Sequence, residues 1–259
     1  MHLCRSSFYL SHVVTILLTC NLILPLFKPQ AAVTQEQKDN KGLVTFVEGA
    51  VKKQKLQQED WATVIKNSEV TGGERVRTFR ASRAELELAR LDRIRMAPQT
   101  VIDVLKLYEE TKEQVIESQI NLQSGDLWAN VSKKPANMKF SIGTPVAVAA
   151  ITGTIFRMSV GDDSLAMLKV YNGEVVMTNA PESQVTPTII KPTQVPGPHE
   201  VPGPREVSLE EWAIIVKSMQ QIKIDKRGQV AYQGNFAQND QDEQTDWVLW
   251  NQVRDSANK

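Results

Sequence analysis

The sequence predicts a mainly β protein, solenoid-like or sandwich-like, made of many short strands. Between about residues 42 and 179, apolar and polar side chains alternate in short runs, which is the pattern of strands that bury one face. Turn-forming pairs such as Gly72-Gly73 and Ser124-Gly125 separate these runs. Many short strands with one apolar face are typical of sandwiches, barrels and solenoids.

Individual strands follow from the same alternation. Arg83–Leu88 places alanine and leucine on one face and arginine and glutamate on the other, and Arg93–Met96 repeats the pattern. Asn172-Gly173 between two apolar strands predicts a hairpin. The centre of Val101–Gln119 fits either a helical turn or an exposed loop. The other predicted strands are Gly42–Gly49, Ala62–Ile65, Arg75–Thr78, Leu127–Val131, Met138–Ile142, Thr154–Val160, Ala166–Tyr171 and Glu174–Met177.

The first 32 residues have the composition of an export signal or a membrane anchor. One charged residue, Arg5, precedes a long apolar stretch that ends near small residues at positions 31 and 32. A cleaved signal peptide is the favoured interpretation. An uncleaved tether through Phe8–Phe27 and a lipid anchor at Cys20 are the alternatives. All three place the rest of the chain outside the cytoplasm, in the periplasm, secreted, or anchored to the inner membrane.

Composition argues against several classes of function. The 30 basic residues balance the 30 acidic ones, whereas nucleic-acid binders are usually strongly basic. Both cysteines and two of the three histidines lie in the first 20 residues, so the remainder has one imidazole, His199, and no thiol. We therefore expect neither a Cys/His zinc site nor a nucleophile–histidine pair, and the sequence predicts a non-enzymatic protein without a cofactor.

Seven arginines fall between residues 74 and 95, against four acidic residues, Glu74, Glu85, Glu87 and Asp92. One interpretation is an anionic-ligand face formed by Arg75, Arg77, Arg93 and Arg95, which would suit a lipid head group or a wall polymer. The other, favoured by the interleaved acids, is a solvated sheet face held by cross-strand ion pairs.

Several segments resemble the FecR domain, in the order and at the spacing of that family. They are Gly73–Thr78 with Ser82–Leu86, then Leu122–Leu127, then Thr144–Ala149 with Gly153–Phe156, and finally Val170–Val175. The resemblance covers about residues 42–180 and implies an extracytoplasmic all-β module. Founding members of the family are membrane-spanning regulators that sense a loaded outer-membrane transporter and control a sigma factor.

Departures from the family change the expected function. Only about seven residues precede the apolar run, too few for the cytoplasmic sigma-binding domain of the founding members, so the chain resembles a single-FecR-domain exported protein. The family's arginine before Gly-Thr is Thr152 here, and Ala89–Arg93 stands in place of its Asp-Gly-Ser turn. The residues of the most characteristic stretch are expected to be structural. They are Thr144, Pro145, Gly153, Thr154 and Phe156.

A proline-rich stretch and a short tail follow the β domain, which we place at 42–180. Residues 181–206 hold seven of the twelve prolines and predict a semi-rigid linker. Ser208–Glu211 is a capping box that predicts an amphipathic helix over Ser208–Gln221. A hairpin over 222–232 and a helix around Trp247–Val253 complete the predicted tail, 207–259. The tail has too few residues for a core of its own, so it must pack on the β domain, on itself or on a partner.

The favoured function is a non-catalytic extracytoplasmic scaffold or sensor that binds an unidentified envelope protein or wall polymer. Trp212, Trp247 and Trp250 are its candidate docking residues, since tryptophan is a common interface anchor. The alternative is a membrane-anchored signalling regulator related to FecR-type sigma-factor regulators, tethered through the apolar N-terminal stretch.

An enzyme acting on a wall glycan is a third interpretation. Its carboxylates would come from acid pairs such as Asp162-Asp163 or Glu109-Glu110. Adjacent residues of a strand point to opposite faces, which makes such pairs poor catalytic partners.

Overall fold

Strands dominate the computed structural model, which describes residues 41–88, 92–179 and 212–257. The predicted N-terminal signal and the proline-rich linker lie outside the described residues. Those ranges contain one α-helix, α1 (Asp246–Ser256), a 3-10 helix at Gln241–Glu243, and seventeen strands. The strands are β1 (Lys41–Glu48), β2 (Val51–Lys55), β3 (Ala62–Thr63), β4 (Glu69–Thr71), β5 (Glu74–Thr78), β6 (Arg83–Glu87), β7 (Arg93–Met96), β8 (Val101–Glu110), β9 (Ile116–Asn130), β10 (Met138–Gly143), β11 (Ala147–Ile151), β12 (Ile155–Val160), β13 (Ala166–Asn172), β14 (Glu174–Asn179), β15 (Ala213–Lys217), β16 (Gln220–Ile224) and β17 (Val230–Asn235).

The strands form two layers that share the long strand β9. The first layer has the order β4-β1-β6-β7-β9-β12-β13-β16-β17 and is antiparallel throughout. The second has the order β3-β2-β5-β8-β9-β10-β11-β14-β15, with β9 and β10 parallel and the other pairs antiparallel. The amino-terminal half of β9 belongs to the second layer and its carboxyl-terminal half to the first, so hydrogen bonding connects all seventeen strands.

The core lies between the two layers. Leu86 and Ile94 from the first layer and Val76 and Ile120 from the second belong to one cluster of buried side chains. Each of them is no more than 1% exposed. Burying a side chain of this size contributes about 1.5–3 kcal/mol, and the period-two alternation of the strands supplies the inward row. The predicted mainly β fold of many short strands is confirmed.

The chain passes repeatedly from one layer to the other, and a residue with positive φ marks most of these passages. Positive φ is needed because the backbone must turn sharply out of one ladder and into the next. Nine such passages each contain one residue of this kind: Gly49, Asn67, Gly73, Ala81, Gln99, Gly125, Gly153, Gly173 and Met219.

The predicted hairpin at Asn172-Gly173 is wrong. The two residues do form a tight turn, with φ of +88° at Gly173. However, β13 pairs with β12 and β16, whereas β14 pairs with β11 and β15. The turn therefore carries the chain between layers instead of joining two partners of one ladder. A Cβ at position 173 would lie 2.6 Å from the carbonyl oxygen of Gly153, so only glycine fits.

The predicted helix over Ser208–Gln221 is also wrong where the structure describes it, from residue 212 onward. β15 extends the second layer by pairing with β14, and β16 begins directly afterwards. Val216 is fully buried while Ile215 is 51% exposed, which is the alternation of an edge strand. Pairing with β14 satisfies backbone hydrogen-bonding groups of β15 and buries one row of its apolar side chains. Together these effects outweigh the helical spacing of the apolar residues in the sequence.

The remaining tail follows the prediction more closely. The hairpin over 222–232 is present as β16 and β17, and the helix around Trp247–Val253 is present as α1. Val101–Gln119, expected to have a helical turn or loop at its centre, forms β8, a turn and the start of β9. Within the described ranges no helix is both long and apolar enough to cross a membrane.

Candidate functional site

The outer face of the first layer is covered by the chain's own tail. Strands β6, β7, β9, β12 and β13 direct charged and aromatic side chains outward, and α1 and the 3-10 helix lie over them. α1 begins at Thr245, whose hydroxyl accepts a hydrogen bond from the amide of Val248, and its first turn holds Asp246. An N-cap threonine and an early acid both stabilise a helix start. We call this surface, with the tail on it, the tail-covered face.

The centre of the tail-covered face is a buried ion-pair cluster around Arg95, a side chain that is 0% exposed. The Arg95 Nε donates to Glu85 at 2.5 Å and its Nη1 donates to Asp255 of α1 at 2.8 Å. Asp255 also accepts the indole N–H of Trp128 at 2.8 Å. Arg254 adds two contacts of 3.2 Å to Glu85. Four charges from the sheet and the helix therefore pair with one another, while the Arg95 Nη2 has no hydrogen-bond partner among the described residues.

Glu85 is held ionised by this arrangement. Burial alone would raise the pKa of its carboxyl, but hydrogen bonds from Arg254, Arg95 and Thr45 outweigh that effect and lower the pKa to about 2. The carboxylate is the acceptor for two guanidinium groups, so its negative charge helps to fix the helix to β6.

A second cluster lies at the other end of the tail-covered face, around Lys169 on β13. Its ammonium group donates to Glu243 of the 3-10 helix at 2.8 Å, and the Tyr171 hydroxyl donates to the other oxygen of the same carboxylate at 2.8 Å. Lys169 is 1% exposed and Glu243 0%. Burial raises the pKa of Tyr171, and the neighbouring negative charge of Glu243 raises it further. The phenol is therefore a neutral donor at physiological pH.

Between the two clusters Arg157 and Asp126 pair at 2.6 Å, and the Trp247 indole donates to the same aspartate at 3.0 Å. Burial alone would lower the pKa of Arg157, but the charge of Asp126 outweighs this and raises it. Aromatic contacts fill the space around the ions. Trp247 stacks on Trp250 with ring centroids 5.6 Å apart, and the Arg254 guanidinium lies 4.8 Å from the Trp250 ring.

The structure places the three candidate docking tryptophans against the chain itself. Trp247 is 8% exposed and belongs to a small cluster with Trp128, and Trp250 packs beside it. Trp212 packs against the main core and its indole donates to the carbonyl of Gly228 at 2.9 Å. The three tryptophans therefore do not form one exposed surface among the described residues, and docking of a partner through them stays a prediction. The tail packs on the β domain, one of the three alternatives that its length left open.

The predicted anionic-ligand face is not formed either. Arg75 and Arg77 lie on β5 in the second layer, whereas Arg93 and Arg95 lie on β7 in the first. Arg75 pairs with Asp103 at 2.5 Å, Arg93 pairs with Glu87 at 3.3 Å, and Arg95 is buried. Cross-strand acids and Asp255 of the tail helix thus neutralise three of the four arginines, which agrees with the alternative of structural ion pairs.

The most characteristic stretch of the sequence has internal contacts. The Thr144 hydroxyl accepts the amide of Ala147 at 3.0 Å, and the Thr154 hydroxyl donates to the carbonyl of Glu174 at 3.0 Å. Phe156 is 0% exposed in the core. Gly153 has φ of +124°, and a Cβ there would lie 2.8 Å from the backbone of Lys133. Pro145 is exposed in the turn before β11.

The acid pairs proposed for an enzyme lie at exposed ends of strands. Asp162-Asp163 is in the turn between β12 and β13, where one Asp163 oxygen accepts the amide of Leu165 at 3.0 Å. Glu109-Glu110 ends β8. Among the described residues no group of three or more histidine, cysteine or acidic side chains is placed to hold a metal ion.

The outer face of the second layer carries a cleft of about 410 Å³. The cleft lies over β9, β10 and β11, and its lining includes Ser141, Ala150 and Lys139. Next to it, Ala150, Val176 and Ile215 are cross-strand neighbours that form one exposed row. Val176 is 38% exposed and Ile215 51%. No part of the described tail covers this row, which we call the open apolar row.

Sequence reasoning missed the acceptors and donors that make the tail-covered face, above all Trp128, Lys169, Glu243 and Asp255. Alternation along a strand predicts that Trp128 and Lys169 point outward, because each lies between two buried residues in the sequence. Their partners come from the tail, more than 70 residues away in the chain. The acids near the C-terminus, Asp240, Asp242, Glu243 and Asp246, are the one signal in the sequence for such partners.

The family comparison agrees with the fold and the motif order. The model of the FecR protein family matches residues 74–176. The chain contains a FecR domain. The match covers β5 to most of β14, so the matched residues contribute strands to both layers, including those that hold Glu85, Arg95, Trp128 and Lys169. The tail-covered face is therefore built from the FecR domain on one side and from a separate C-terminal segment on the other.

Solved structures with a similar fold include two crystal structures of a candidate anti-sigma factor from Parabacteroides distasonis ATCC 8503. One is 14% identical with a TM-score of 0.43, and the other is 13% identical with a TM-score of 0.42. Each alignment covers 62% of this chain and 59% of the other, so the FecR-domain chain spans about 59% of the length of these structures. A comparison with curated proteins gives no match.

Proposed function

We propose that this FecR-domain protein is a non-enzymatic interaction module of the cell envelope that binds a protein partner through the outer face of its second layer. The observation that carries the proposal is the unequal use of the two outer faces. The tail occupies the first layer with buried ion pairs, while the second layer keeps a cleft and the open apolar row. A face that the described residues leave uncovered is available to a partner.

A protein partner suits the composition of this surface. Val176 and Ile215 are exposed aliphatic side chains, and the exposed lysines Lys139 and Lys217 lie near them on β10 and β15. Apolar contacts with a charged rim are the usual anatomy of a protein interface. A partner segment with apolar and acidic side chains would complement it. A wall polymer, which offers few apolar groups, fits less well.

A non-catalytic role is part of the proposal. The buried charged groups of the tail-covered face are engaged with one another in ion pairs and hydrogen bonds, so their geometry supports a structural role. The N-terminal composition supports a position outside the cytoplasm. Mass spectrometry of the mature N-terminus from fractionated cells should show residues 33–259 in the periplasmic or membrane fraction. A cytoplasmic protein with an intact N-terminus would contradict this part.

Site-specific photo-crosslinking in the source cells tests the partner surface. A photoreactive amino acid is placed at Val176, at Ile215, and, as a matched control, at Ile65, an aliphatic residue that is 66% exposed in the connection between β3 and β4. We expect a discrete envelope-protein adduct from positions 176 and 215 and none from position 65. Equal adducts from all three positions, a polymer adduct, or no adduct would overturn the proposal.

The second candidate is a signalling regulator related to FecR-type sigma-factor regulators. The match of the FecR family to residues 74–176 favours it. Deleting the gene should then change transcription of a defined set of genes, and expressing the chain with Val176→Glu should fail to restore it. Unchanged transcription on deletion would exclude this candidate, whereas the crosslinking experiment would be unaffected.

A further inference from the structure

A buried lysine–aspartate pair lies outside the two clusters of the tail-covered face and joins two connections of the fold. Asp92, in the connection between β6 and β7, is 0% exposed, and its backbone carbonyl accepts the amide of Leu88 at 2.7 Å. Lys134, in the connection between β9 and β10, forms an ion pair with the Asp92 carboxylate, and its side chain is 3% exposed. Removing two charges from water is costly, so this site favours a change that eliminates both charges.

The two oxygens of the Asp92 carboxylate have different surroundings. Oδ1 accepts two hydrogen bonds from Ser132, one from the backbone amide at 2.9 Å and one from the hydroxyl at 2.7 Å. Oδ2 contacts the Lys134 Nζ and lies 3.5 Å from the Tyr108 hydroxyl. Two fixed donors on one oxygen are the arrangement that stabilises an oxyanion during acyl transfer. Oδ1 can therefore carry negative charge, while Oδ2 is the oxygen beside the amine.

Tyr108 is directed towards this site by an irregularity of β8. The register of the β8–β9 ladder shifts between Lys106 and Glu109, and Tyr108 has φ of +52°. This conformation is unfavourable for a bulky side chain, and bulges often redirect a side chain next to a functional group. The backbone amide of Tyr108 donates to the Ser118 hydroxyl at 3.0 Å, and the residue is 5% exposed. The phenol is thus held beside the carboxylate.

The other fully buried lysine has a different environment. The Lys169 ammonium contacts two carboxylates, those of Glu243 and Asp242, and the second negative charge stabilises its protonated form. Each oxygen of Glu243 accepts from a different side chain, Lys169 on one and Tyr171 on the other. For Lys134, Asp92 is the one acidic ion-pair partner among the described residues. The Asp92 site combines a single carboxylate with two donors on one oxygen.

We propose that Lys134 and Asp92 condense into an intramolecular amide bond between the lysine Nζ and the aspartate Cγ. An ammonium proton passes to Oδ2, and the freed amine lone pair attacks Cγ while the Ser132 donors stabilise the charge that develops on Oδ1. The bond between Cγ and Oδ2 then breaks. Oδ2 leaves as water with two of the three ammonium hydrogens, and the third stays on the amide nitrogen. The step needs no oxidant, reductant or cofactor.

The folded structure supplies the driving force for this bond. Groups held in contact react with a high effective concentration, which offsets the tendency of an amide to hydrolyse in water. The product replaces two buried charges with one neutral amide, whose carbonyl oxygen keeps both hydrogen bonds from Ser132. The link closes a loop between residues 42 apart in the sequence. Lys134 also lines the cleft of the second layer, but the reaction does not depend on a partner that binds there.

Peptide mass spectrometry of the full chain tests the proposal. Trypsin should release one branched species that joins residues 91–93 to residues 134–139 and is lighter by one water than the two peptides together. Lys134→Arg keeps the positive charge but removes the amine, so the branched species should be absent. Lys133→Arg is the matched control, because Lys133 is exposed and adjacent in the sequence, and it should keep the branched species. Processing of the N-terminus does not affect this readout.

Each other result overturns the proposal. The wild-type protein excludes the bond if the two peptides appear separately, or if the loss of water lies in another peptide. A branched species in Lys134→Arg, or its loss in Lys133→Arg, assigns the reaction to a different lysine. Ser132→Ala guards against misfolding of Lys134→Arg, because it leaves both reacting groups in place. In pulse-labelled cells it should form the link at least about tenfold more slowly, and an unchanged rate would contradict the assigned oxyanion donor.

Discussion

Arg95 on β7 and Asp255 on α1 form an ion pair of 2.8 Å although 160 residues separate them in the sequence. Their side chains are 0% and 9% exposed. A pair at this depth offsets its desolvation only when both partners are present and further hydrogen bonds support them; here Trp128 donates to Asp255, and Arg95 donates to Glu85. The tail is therefore an integral part of the folded FecR-domain unit.

Removing the charge of Asp255 should destabilise the protein strongly. Asp255→Asn leaves the Arg95 guanidinium buried with a single anionic partner, and breaking a buried pair in this way costs roughly 3–5 kcal/mol. Urea unfolding measures the change. Asp246→Asn on the same helix is the control, because the Asp246 side chain is 82% exposed and its pair with Arg83 is at the surface. Its effect should stay within about 1 kcal/mol. Equal effects of the two substitutions would contradict the integral role of the tail.

Acid should weaken the same cluster through Glu85. Its pKa in the folded protein is about 2, below its ordinary value of 4.5. A carboxyl whose folded pKa is lowered contributes stability that is fully present above the unfolded pKa and is lost as pH falls through the folded pKa. The free-energy difference between wild type and Glu85→Gln, measured by urea unfolding, should therefore be largest above about pH 4.5 and shrink towards pH 2.

Glu87→Gln is the matched control for this titration. Glu87 lies on the same strand, is 29% exposed in its side chain and pairs with Arg93 at 3.3 Å. At neutral pH, Glu87→Gln should lower the free energy of unfolding by no more than about 1 kcal/mol. A constant difference between wild type and Glu85→Gln from pH 7 to pH 2 would show that the Glu85 carboxylate does not support the fold through its charge.

Alternation predicts which side chains of a strand share a face, but it does not predict which layer the strand joins. Arg75 and Arg93 have the same pattern of neighbours, yet β5 and β7 lie in different layers. The same limit explains the error at Asn172-Gly173. The local sequence correctly predicts a turn there, but it does not indicate with which strands β13 and β14 pair. Pairing depends on contacts between distant segments, which a local pattern does not contain.

The burial of two charged side chains is the other feature that local sequence patterns do not predict. Arg95 and Lys169 occupy outward positions of alternating strands, where solvent is the expected neighbour. They are buried because the tail returns over them. The tail helix itself was predictable from the acids and tryptophans of 240–253. In contrast, Trp212–Ile222 has apolar residues that fit both a helix and an edge strand, and the available ladder of β14 decided between them.

The Lys169–Glu243 pair should show strong energetic coupling. Lys169→Met leaves the buried Glu243 carboxylate with a phenol but without its main cation. Glu243→Gln leaves the ammonium group with Asp242, whose side chain is 50% exposed, as its remaining anionic partner. A double-mutant cycle measured by urea unfolding should give a coupling energy of about 2–3 kcal/mol, because the double variant removes both buried charges.

The exposed pair Lys106–Glu117 is the control cycle. Its side chains are 41% and 28% exposed at a distance of 2.9 Å. Coupling there should be about 0.2–1 kcal/mol. Similar coupling in the two cycles would mean that burial by the tail adds nothing to the interaction.

Trp247 should act as a core residue and not as a surface anchor. Trp247→Ala removes the ring that stacks on Trp250 and the indole donor to Asp126, and a buried aromatic replaced by alanine costs about 3–5 kcal/mol. Leu249→Ala on the same helix is the control, since Leu249 is 43% exposed and should change stability by about 0.5 kcal/mol or less. Thermal unfolding followed by tryptophan fluorescence compares them. An unchanged midpoint for Trp247→Ala would contradict the packing of α1 on the sheet.

Replacing a glycine by alanine where the chain passes between layers should destabilise the protein more when atoms lie close to the position of the added Cβ. Gly125, where β9 changes layer, has φ of +95°, and a Cβ there would lie 2.6 Å from the Thr100 Cα and 2.9 Å from the Gln99 carbonyl oxygen. Gly73 has φ of +82° with nothing within 4 Å of the same position. Gly73→Ala therefore isolates the cost of a left-handed conformation, about 1–2 kcal/mol.

Gly125→Ala adds a clash with backbone atoms that cannot rotate away, so it should cost clearly more than Gly73→Ala in urea unfolding. The extra destabilisation should appear together with faster hydrogen exchange at both halves of β9, because among the described strands β9 is the one that takes part in the ladders of both layers. If the two substitutions were equally costly, the close approach of Gly125 to Thr100 would not be a determinant of the fold, and the sharing of β9 would depend on side-chain packing alone.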